Sequence, residues 1–242
     1  MFQSRRNWEL NVDFIKLRTE IKKPESKTTI AKDSIIYSEF SFSLANIIET
    51  AGSLTTDELA MLTLSIQSWI NRKEFTTCKV PVNIGDIFLA DLGNCYKPEL
   101  ACPHPVVILE KVGSLVFIIP SSTSPKTVAK AYHPIDNTKG DTLYRKVNTK
   151  DGFNCDCALI LSNTRTISQG RLLSHLGQLN NINDPNSLFV EIKNKCFEFN
   201  FPKHNIQLVK ALQQIDELKR KNSELEVEKE QLKLHLDGLK SS

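Results

Sequence analysis

The chain lacks long apolar runs and a strong excess of charge of either sign. In its 242 residues, no apolar stretch approaches the length of ~18 residues that a membrane-spanning helix needs. The opening MFQSRRNWEL has no apolar segment of secretory length after its arginines, so we expect a cytoplasmic protein with no membrane partner. A net charge of +3 argues against a strongly basic fold that wraps duplex DNA, because phosphate neutralisation needs clustered Lys and Arg, and it leaves a local basic patch open. Hydrophobic residues at 40% and charged residues at 24% are typical of a folded globular protein.

The six cysteines include no CxxC pair, the commonest spacing of zinc and redox sites. Disulfides are not expected in a reducing compartment, so buried free thiols are the favoured interpretation. A zinc site is the alternative, built on Cys155 and Cys157 with Cys95, Cys102 or His104. We expect no metal and no cofactor.

A leucine heptad dominates the last part of the chain. Position d is filled by Ala211, Leu218, Leu225, Leu232 and Leu239, and position a by Leu208, Ile215, Asn222, Lys229 and Leu236. This period of seven predicts a coiled coil over 206–240. A DNA-binding zipper is excluded, since no basic helix precedes the heptads.

The charges beside the heptad predict a parallel homodimer. In a parallel pair, Lys221 of one chain would meet Glu226 of the other, and Glu228 would meet Lys233. The alternative is an amphipathic helix that folds back on its own chain.

Residues 1–81 are predicted to form a mostly helical extension. Thr55 and Glu58 have the spacing of a capping box, and an apolar stripe with helical spacing follows them. A shorter helix is expected over 43–50.

The pattern changes to short β-rich runs between residues 82 and 205. Strands are predicted at Ile87–Ala90, Val106–Leu109, Leu115–Ile119, Ala158–Leu161 and Leu188–Ile192. Several short strands separated by turn residues favour a small barrel. The polar residues 124–151 are interpreted as a long connection.

Four motifs in this region resemble the PemK/MazF family of toxin endoribonucleases in order and spacing. They are Gly85-Asp86-Ile87-Phe88 with Asp91-Leu92, His104-Pro105-Val106-Val107-Ile108, Pro120-Ser121-Ser122, and Thr164-Arg165-Thr166-Ile167 with Arg171-Leu172. The resemblance implies an α+β protein with an SH3-like β-barrel domain at 82–205, between the extension 1–81 and the coiled coil 206–240. It also implies a dimer that contacts its second copy through the barrel, cleaves single-stranded RNA without metal, and is blocked by an antitoxin protein.

The resemblance places the reaction near the loop before His104 and the end of the strand at Ser122. The family has an arginine where His104 stands, a threonine where Ser122 stands, and glycines where Ala101 and Cys102 stand. His104 titrates near neutrality by default and can act as base or acid, and Ser122 keeps a hydroxyl for a phosphate oxygen.

The remaining candidates are less central to the chemistry. Glu99 is a catalytic candidate, as a proton partner of His104 or the group that fixes its tautomer. The RNA-binding candidates are Lys97, Thr123 and Arg165. Structural interpretations stay open: His104 as a strand residue, the serines as a turn, Arg165 as a brace at a strand end, and the loop charges as solvated groups.

Two functions follow from these motifs. The first is a metal-independent endoribonuclease, the toxin of a toxin–antitoxin pair or a phage-defence effector. The alternative is an inactive family relative that binds RNA or a protein and is assembled by its coiled coil.

Overall fold

The structure is a computed structural model that describes residues 13–22, 35–94 and 98–240. The chain divides into two compact units, Met1–Gln67 and Ser68–Ser242. The domain limits predicted at 81 and 205 stay predictions.

The first unit is helical in its described parts. Helix α1 spans Phe14–Ile21, α2 spans Ile35–Ala51, and α3 spans Thr56–Arg72 and ends in the second unit. The predicted capping box is confirmed: the Glu58 amide donates to Thr55 Oγ1 over 3.2 Å, and the Thr55 amide donates to Glu58 Oε2 over 3.0 Å. Helix α2 begins eight residues before the predicted start at 43, because apolar and helix-compatible residues continue back to Ile35.

The second unit is built on an eight-stranded sheet. Its strands are β1 Asp86–Asp91, β2 Pro103–Val112, β3 Leu115–Ser122, β4 Ala131–Tyr132, β5 Asp141–Val147, β6 Cys157–Ile160, β7 Arg165–Ser168 and β8 Leu172–Gln178. The order is β4-β5-β6-β3-β2-β1-β8, with β7 also paired to β3. Every pair is antiparallel except β4 with β5.

The α+β class is confirmed, but the described strands do not close into the predicted barrel. Strand β3 pairs with β7 along Leu115–Ile118 and with β6 at Ser121 and Ser122. The sheet therefore branches at β3, and β4 and β8 remain at the two ends of the hydrogen-bonded order.

The sheet has apolar side chains packed on both faces. Neighbouring residues on a strand point to opposite faces, so Ile87 and Phe88 of β1 belong to different core clusters. Helix α5, Leu188–Asn200, covers one face with Phe189, Ile192 and Cys196.

Two sequence predictions in this unit are wrong. Leu188–Ile192 is the start of α5 and not a strand, because the Ser187 side chain caps the helix by accepting from the Val190 amide over 3.3 Å. The predicted connection 124–151 contains α4, Pro125–Lys130, together with β4 and β5. Its polar residues lie mostly on the exposed positions of these elements, since α4 has no buried residue and β5 is buried only at Arg145 and Val147.

The end of α3 is tied to the sheet by hydrogen bonds. Arg72 donates from Nε to the Gly170 carbonyl over 3.0 Å and from Nη2 to the Leu172 carbonyl over 2.5 Å. A Cβ atom on Gly170 would lie 2.0 Å from the Phe75 carbonyl oxygen, so only glycine fits this approach. The segment after α3 is thus held against the start of β8.

Helix α6 follows α5 and runs from Pro202 to Lys240. The rings of Phe197 and Phe201 pack at the junction with centroids 5.6 Å apart. Described side chains of α6 from Ile206 to Lys233 are all exposed. Among the helices of the described ranges, none is both long and apolar enough to cross a membrane.

Candidate active site at the start of strand β2

His104 lies at the second position of β2, opposite Ala90 on β1, and its side chain is half-buried. Its Nδ1 atom is 3.1 Å from the carbonyl oxygen of Ser121 on β3. A carbonyl oxygen only accepts, so Nδ1 carries the proton of this hydrogen bond. In the neutral ring the lone pair is then on Nε2, which can accept a proton from a substrate.

The surroundings of His104 favour its neutral form. Burial lowers its pKa below the ordinary value of 6.5, and the positive charge of Arg165 acts in the same direction. The carbonyl groups of Ser121 and Ala101 act the opposite way without reversing the shift. The prediction that His104 titrates near neutrality is therefore adjusted: at pH 7 the ring is neutral and poised as a base.

Three successive hydroxyl residues stand at the end of β3, and their exposure increases along the chain from Ser121 through Ser122 to Thr123. Ser121 is fully buried and donates to the Pro105 carbonyl over 3.0 Å. Ser122 is half-buried, and its Oγ accepts from the Ser124 amide over 3.2 Å. Thr123 is exposed. Ser122 thus takes part in the predicted turn and keeps its hydroxyl hydrogen for a donor role.

A second group of contacts anchors the loop that precedes β2. Arg165 at the start of β7 donates from Nη2 to the Leu100 carbonyl over 3.0 Å and to Asn163 Oδ1 over 2.8 Å. Asn163 Oδ1 also accepts from the Leu100 amide over 3.2 Å. Arg165 therefore braces the loop, which is one of the two interpretations that the sequence allows for this residue. It also places a positive charge near His104.

Cys102, two residues before His104, has a φ angle of +68°. This is the left-handed region that glycine adopts readily and a side chain with Cβ adopts at a cost. The Cys102 amide donates to the Gly93 carbonyl over 2.7 Å, and its carbonyl accepts from the Leu92 amide over 3.1 Å. The backbone at Cys102 thus keeps the left-handed turn that favours glycine, at a position where the PemK/MazF family has glycine.

Two predicted site residues are not brought to His104 by the described structure. Glu99 is exposed, and no hydrogen bond or ion pair joins it to His104 in the described part of the loop. The predicted RNA-binding residue Lys97 lies outside the described residues.

The cysteines of the alternative zinc site are separated by their surroundings. Cys157 is buried in β6, and burial raises the pKa of its thiol to about 12. Cys155 is exposed and lies ahead of the strand, so the two thiols have different surroundings. Cys95 is outside the described residues, and within those ranges no three His, Cys, Asp or Glu side chains form a group suited to a metal ion.

Sequence reasoning missed the roles of Ser121 and Asn163. Ser121 supplies the carbonyl that fixes the His104 tautomer, and Asn163 shares the Leu100 anchor with Arg165. Ser121 is part of the Pro120-Ser121-Ser122 motif, and Asn163 directly precedes the motif that begins at Thr164; these positions were the signal that pointed closest to the two residues.

No family model and no curated protein matches the chain. Among solved structures, the chain is similar to the Mycobacterium tuberculosis toxin MazF-mt6, with 20% sequence identity and a TM-score of 0.31. The match covers 47% of this chain and 96% of that chain. This is a weak structural neighbour, and at such a score the likeness carries no argument, so the function has to be argued from the residues.

Proposed function

We propose that the sheet domain is a metal-independent endoribonuclease for single-stranded RNA, of the toxin type. The observation that carries the proposal is the His104 ring, held with its proton on Nδ1 by the Ser121 carbonyl and kept neutral by burial. Ser122 follows Ser121 at the end of β3, so the base on β2 and the hydroxyl donor on β3 belong to neighbouring strands.

The proposed reaction is attack by the ribose 2′-hydroxyl on the adjacent phosphorus. His104 Nε2 takes the hydroxyl proton while the O2′–P bond forms, and the P–O5′ bond breaks. The leaving 5′-oxygen receives a proton from the protonated His104 ring. The products are a 2′,3′-cyclic phosphate and a 5′-hydroxyl. Ser122 donates a hydrogen bond to a non-bridging oxygen, where charge develops in the transition state.

The remaining site residues are proposed to hold the RNA. Thr123 is exposed beside Ser122, and Arg165 adds positive charge while it anchors the loop at Leu100. Lys97 would extend this surface. Unpaired RNA is the proposed substrate because its bases can be read on their edges, whereas duplex RNA hides them.

A binding module without catalysis is the second candidate, and one observation favours it. Glu99 is not joined to His104 in the described loop. The hydrogen bonds of the His104 ring with the Ser121 and Ala101 carbonyls are also compatible with a ring that only braces the strand. Among the described site residues, one proton-transfer group is then in place, and the permanent charge of the family's arginine is missing.

The test is incubation of the purified chain with a mixed pool of RNA in EDTA, with the product ends identified. The proposal expects 2′,3′-cyclic phosphate ends and a loss of about 10²–10⁴-fold in rate for His104→Ala. The matched control is His204→Ala, since His204 is exposed on α6 and should cut like wild type. Equal cutting by both variants and wild type would reveal a contaminating nuclease or a wrong site.

The variant His104→Arg separates the two candidates. If wild type is inert on every RNA and His104→Arg cleaves, the natural chain is a binding module and the nuclease proposal fails. If wild type cleaves, expression in a host cell is expected to arrest growth and His104→Ala to relieve the arrest. An antitoxin protein would be identified as the partner that restores growth without a change in the toxin.

A further inference from the structure

Helix α6 presents an apolar stripe to solvent. We name it the α6 seam, and it consists of Leu208, Ala211, Ile215, Leu218, Asn222, Leu225, Lys229 and Leu232. Its five large apolar side chains are between 45% and 60% exposed. Since the side chains from Ile206 to Lys233 are all exposed, the seam does not pack on the described residues of its own chain over this range. This argues against the predicted alternative of a helix that folds back.

We propose that the α6 seam binds the α6 seam of a second copy of this chain, as a parallel two-stranded coiled coil in register. The seam suits two strands, because Ile215 is β-branched at an a position and the neighbouring d positions hold Leu218 and Leu225. The proposal goes beyond the nuclease function and does not depend on it. At ~1.5 Å per residue, the 39 residues of α6 span about 58 Å, which is long enough for several heptads of contact.

The charges beside the seam complement a second copy. In a parallel pair, Lys221 approaches Glu226 of the second copy and Glu228 approaches Lys233 of the second copy. In the single chain these lysines make only exposed contacts within α6: Lys221 with Glu217 at 2.7 Å and Lys233 with Glu230 at 3.3 Å. Exposed pairs of this kind contribute little, so the lysines can turn to a second copy at small cost.

The charges alone do not choose the direction of the second copy. In a fully overlapping antiparallel pair, Lys221 would meet Glu228 and Lys219 would meet Glu226, and both contacts are also attractive.

Asn222 favours one of the two directions, against the repulsion between the two Lys229 side chains that the parallel pair brings together. In the parallel pair it faces Asn222 of the second copy, and the two amides can hydrogen-bond across the seam. In the antiparallel pair it faces Leu225, which leaves a buried amide without a partner. The single asparagine in the seam therefore favours the parallel pair and fixes its register.

The first experiment uses two substitutions of the same kind in the full-length chain. Leu225 lies in the seam and is 59% exposed, whereas Val227 lies outside it and is 57% exposed. Sedimentation equilibrium should find a dimer for wild type and for Val227→Glu. Leu225→Glu should raise the dissociation constant roughly 100-fold or more, because the charge would be buried in the seam.

Three outcomes of this experiment overturn the proposal. They are a monomeric wild type, a dimer that Leu225→Glu leaves unchanged, and equal weakening by both variants. The second of these would indicate an interface on the sheet domain.

The second experiment measures the direction of the pair by oxidation of introduced cysteines. Asn222→Cys should give a covalent dimer by itself, above the level that the native cysteines give in oxidised wild type. A covalent dimer that forms only when Asn222→Cys and Leu225→Cys chains are mixed would show an antiparallel pair and overturn the proposal.

Discussion

Strand β2 and helix α6 are both rich in apolar residues, but these residues are mostly buried in β2 and exposed in α6. Val106, Val107, Ile108 and Leu109 of β2 are fully buried, whereas the apolar side chains of α6 from Ile206 to Leu232 are exposed. The difference teaches that the β2 pattern is satisfied by strands and a helix of the same chain, while the α6 pattern is not covered by the residues that the structure describes.

Ion pairs in the two regions differ in the same way. Arg145 on β5 binds Glu191 on α5 through Nε–Oε1 at 2.7 Å and Nη2–Oε2 at 3.0 Å, and Arg145 is buried. Arg220 and Glu224 on α6 are also 2.7 Å apart, but both are exposed. At equal distance, loss of the buried Arg145–Glu191 pair should therefore cost more stability than loss of the exposed Arg220–Glu224 pair.

The largest expected change in the free energy of unfolding comes from removing the acid of the buried ion pair, and the acid of the exposed pair is its control. Glu191→Ala should lower the free energy of unfolding by about 3 kcal/mol, because it leaves the Arg145 guanidinium buried without its carboxylate. Glu224→Ala should change it by less than about 0.5 kcal/mol, since its partner is hydrated. Urea unfolding measures both. Similar losses for the two variants would contradict the comparison.

The same valine substitution should have a smaller but still unequal effect in the two regions. Val107→Ala removes buried carbons from the core and should cost about 2 kcal/mol, from lost burial and the cavity left behind. Val227→Ala on α6 should be neutral or stabilise by up to about 0.5 kcal/mol, because alanine is the better helix former. A loss of more than about 1 kcal/mol for Val227→Ala would mean that this side of α6 is covered.

The pH dependence of unfolding sharpens the comparison at the site itself. The pKa of His104 is lowered in the folded chain, so below about pH 6.5 the unfolded chain binds the extra proton first. This contribution makes the protein less stable as pH falls from 6.5 towards the lowered value, and it is absent above 6.5. His104→Gln should remove that part of the slope. An unchanged slope would mean that His104 is not buried as described.

The smallest expected effect concerns the strained turn before β2. Cys102→Gly should stabilise the chain by about 0.5 kcal/mol, since relief of the left-handed backbone slightly exceeds the added freedom of the unfolded chain. Cys102→Ala keeps the strain and is the control. Destabilisation by both variants would show that the thiol makes a stabilising contact, whereas destabilisation by Cys102→Gly alone would contradict the strain argument.

Local features of the fold were predictable from the sequence. The capping box at Thr55 and Glu58 needs only residues three apart, and the helix that bears the heptads needs only its own period. The strand segments at β1, β2 and β3 were also predicted, because each is a short apolar run between turn residues.

Features that depend on distant partners were not predictable. Leu188–Ile192 has the composition of a strand, and only the cap at Ser187 and the contact with the sheet make it a helix. The branch at β3 depends on which strands reach its edge, and the order of short runs does not specify this. In the site, His104 and Ser122 came from a motif resemblance, whereas the Leu100 anchor joins residues 63 and 65 positions apart.

The hydrogen bonds of Arg72 determine where the chain can be shortened. A fragment that begins at Val82 keeps every strand but loses the guanidinium that caps the Gly170 and Leu172 carbonyls. It also loses the Cys78 and Phe75 segment that lies against them. The carbonyls of Gly170 and Leu172 would then lose these donors, which costs stability where the groups are buried. A fragment that begins near Ser68 retains this protection, so the stable unit starts before its first strand.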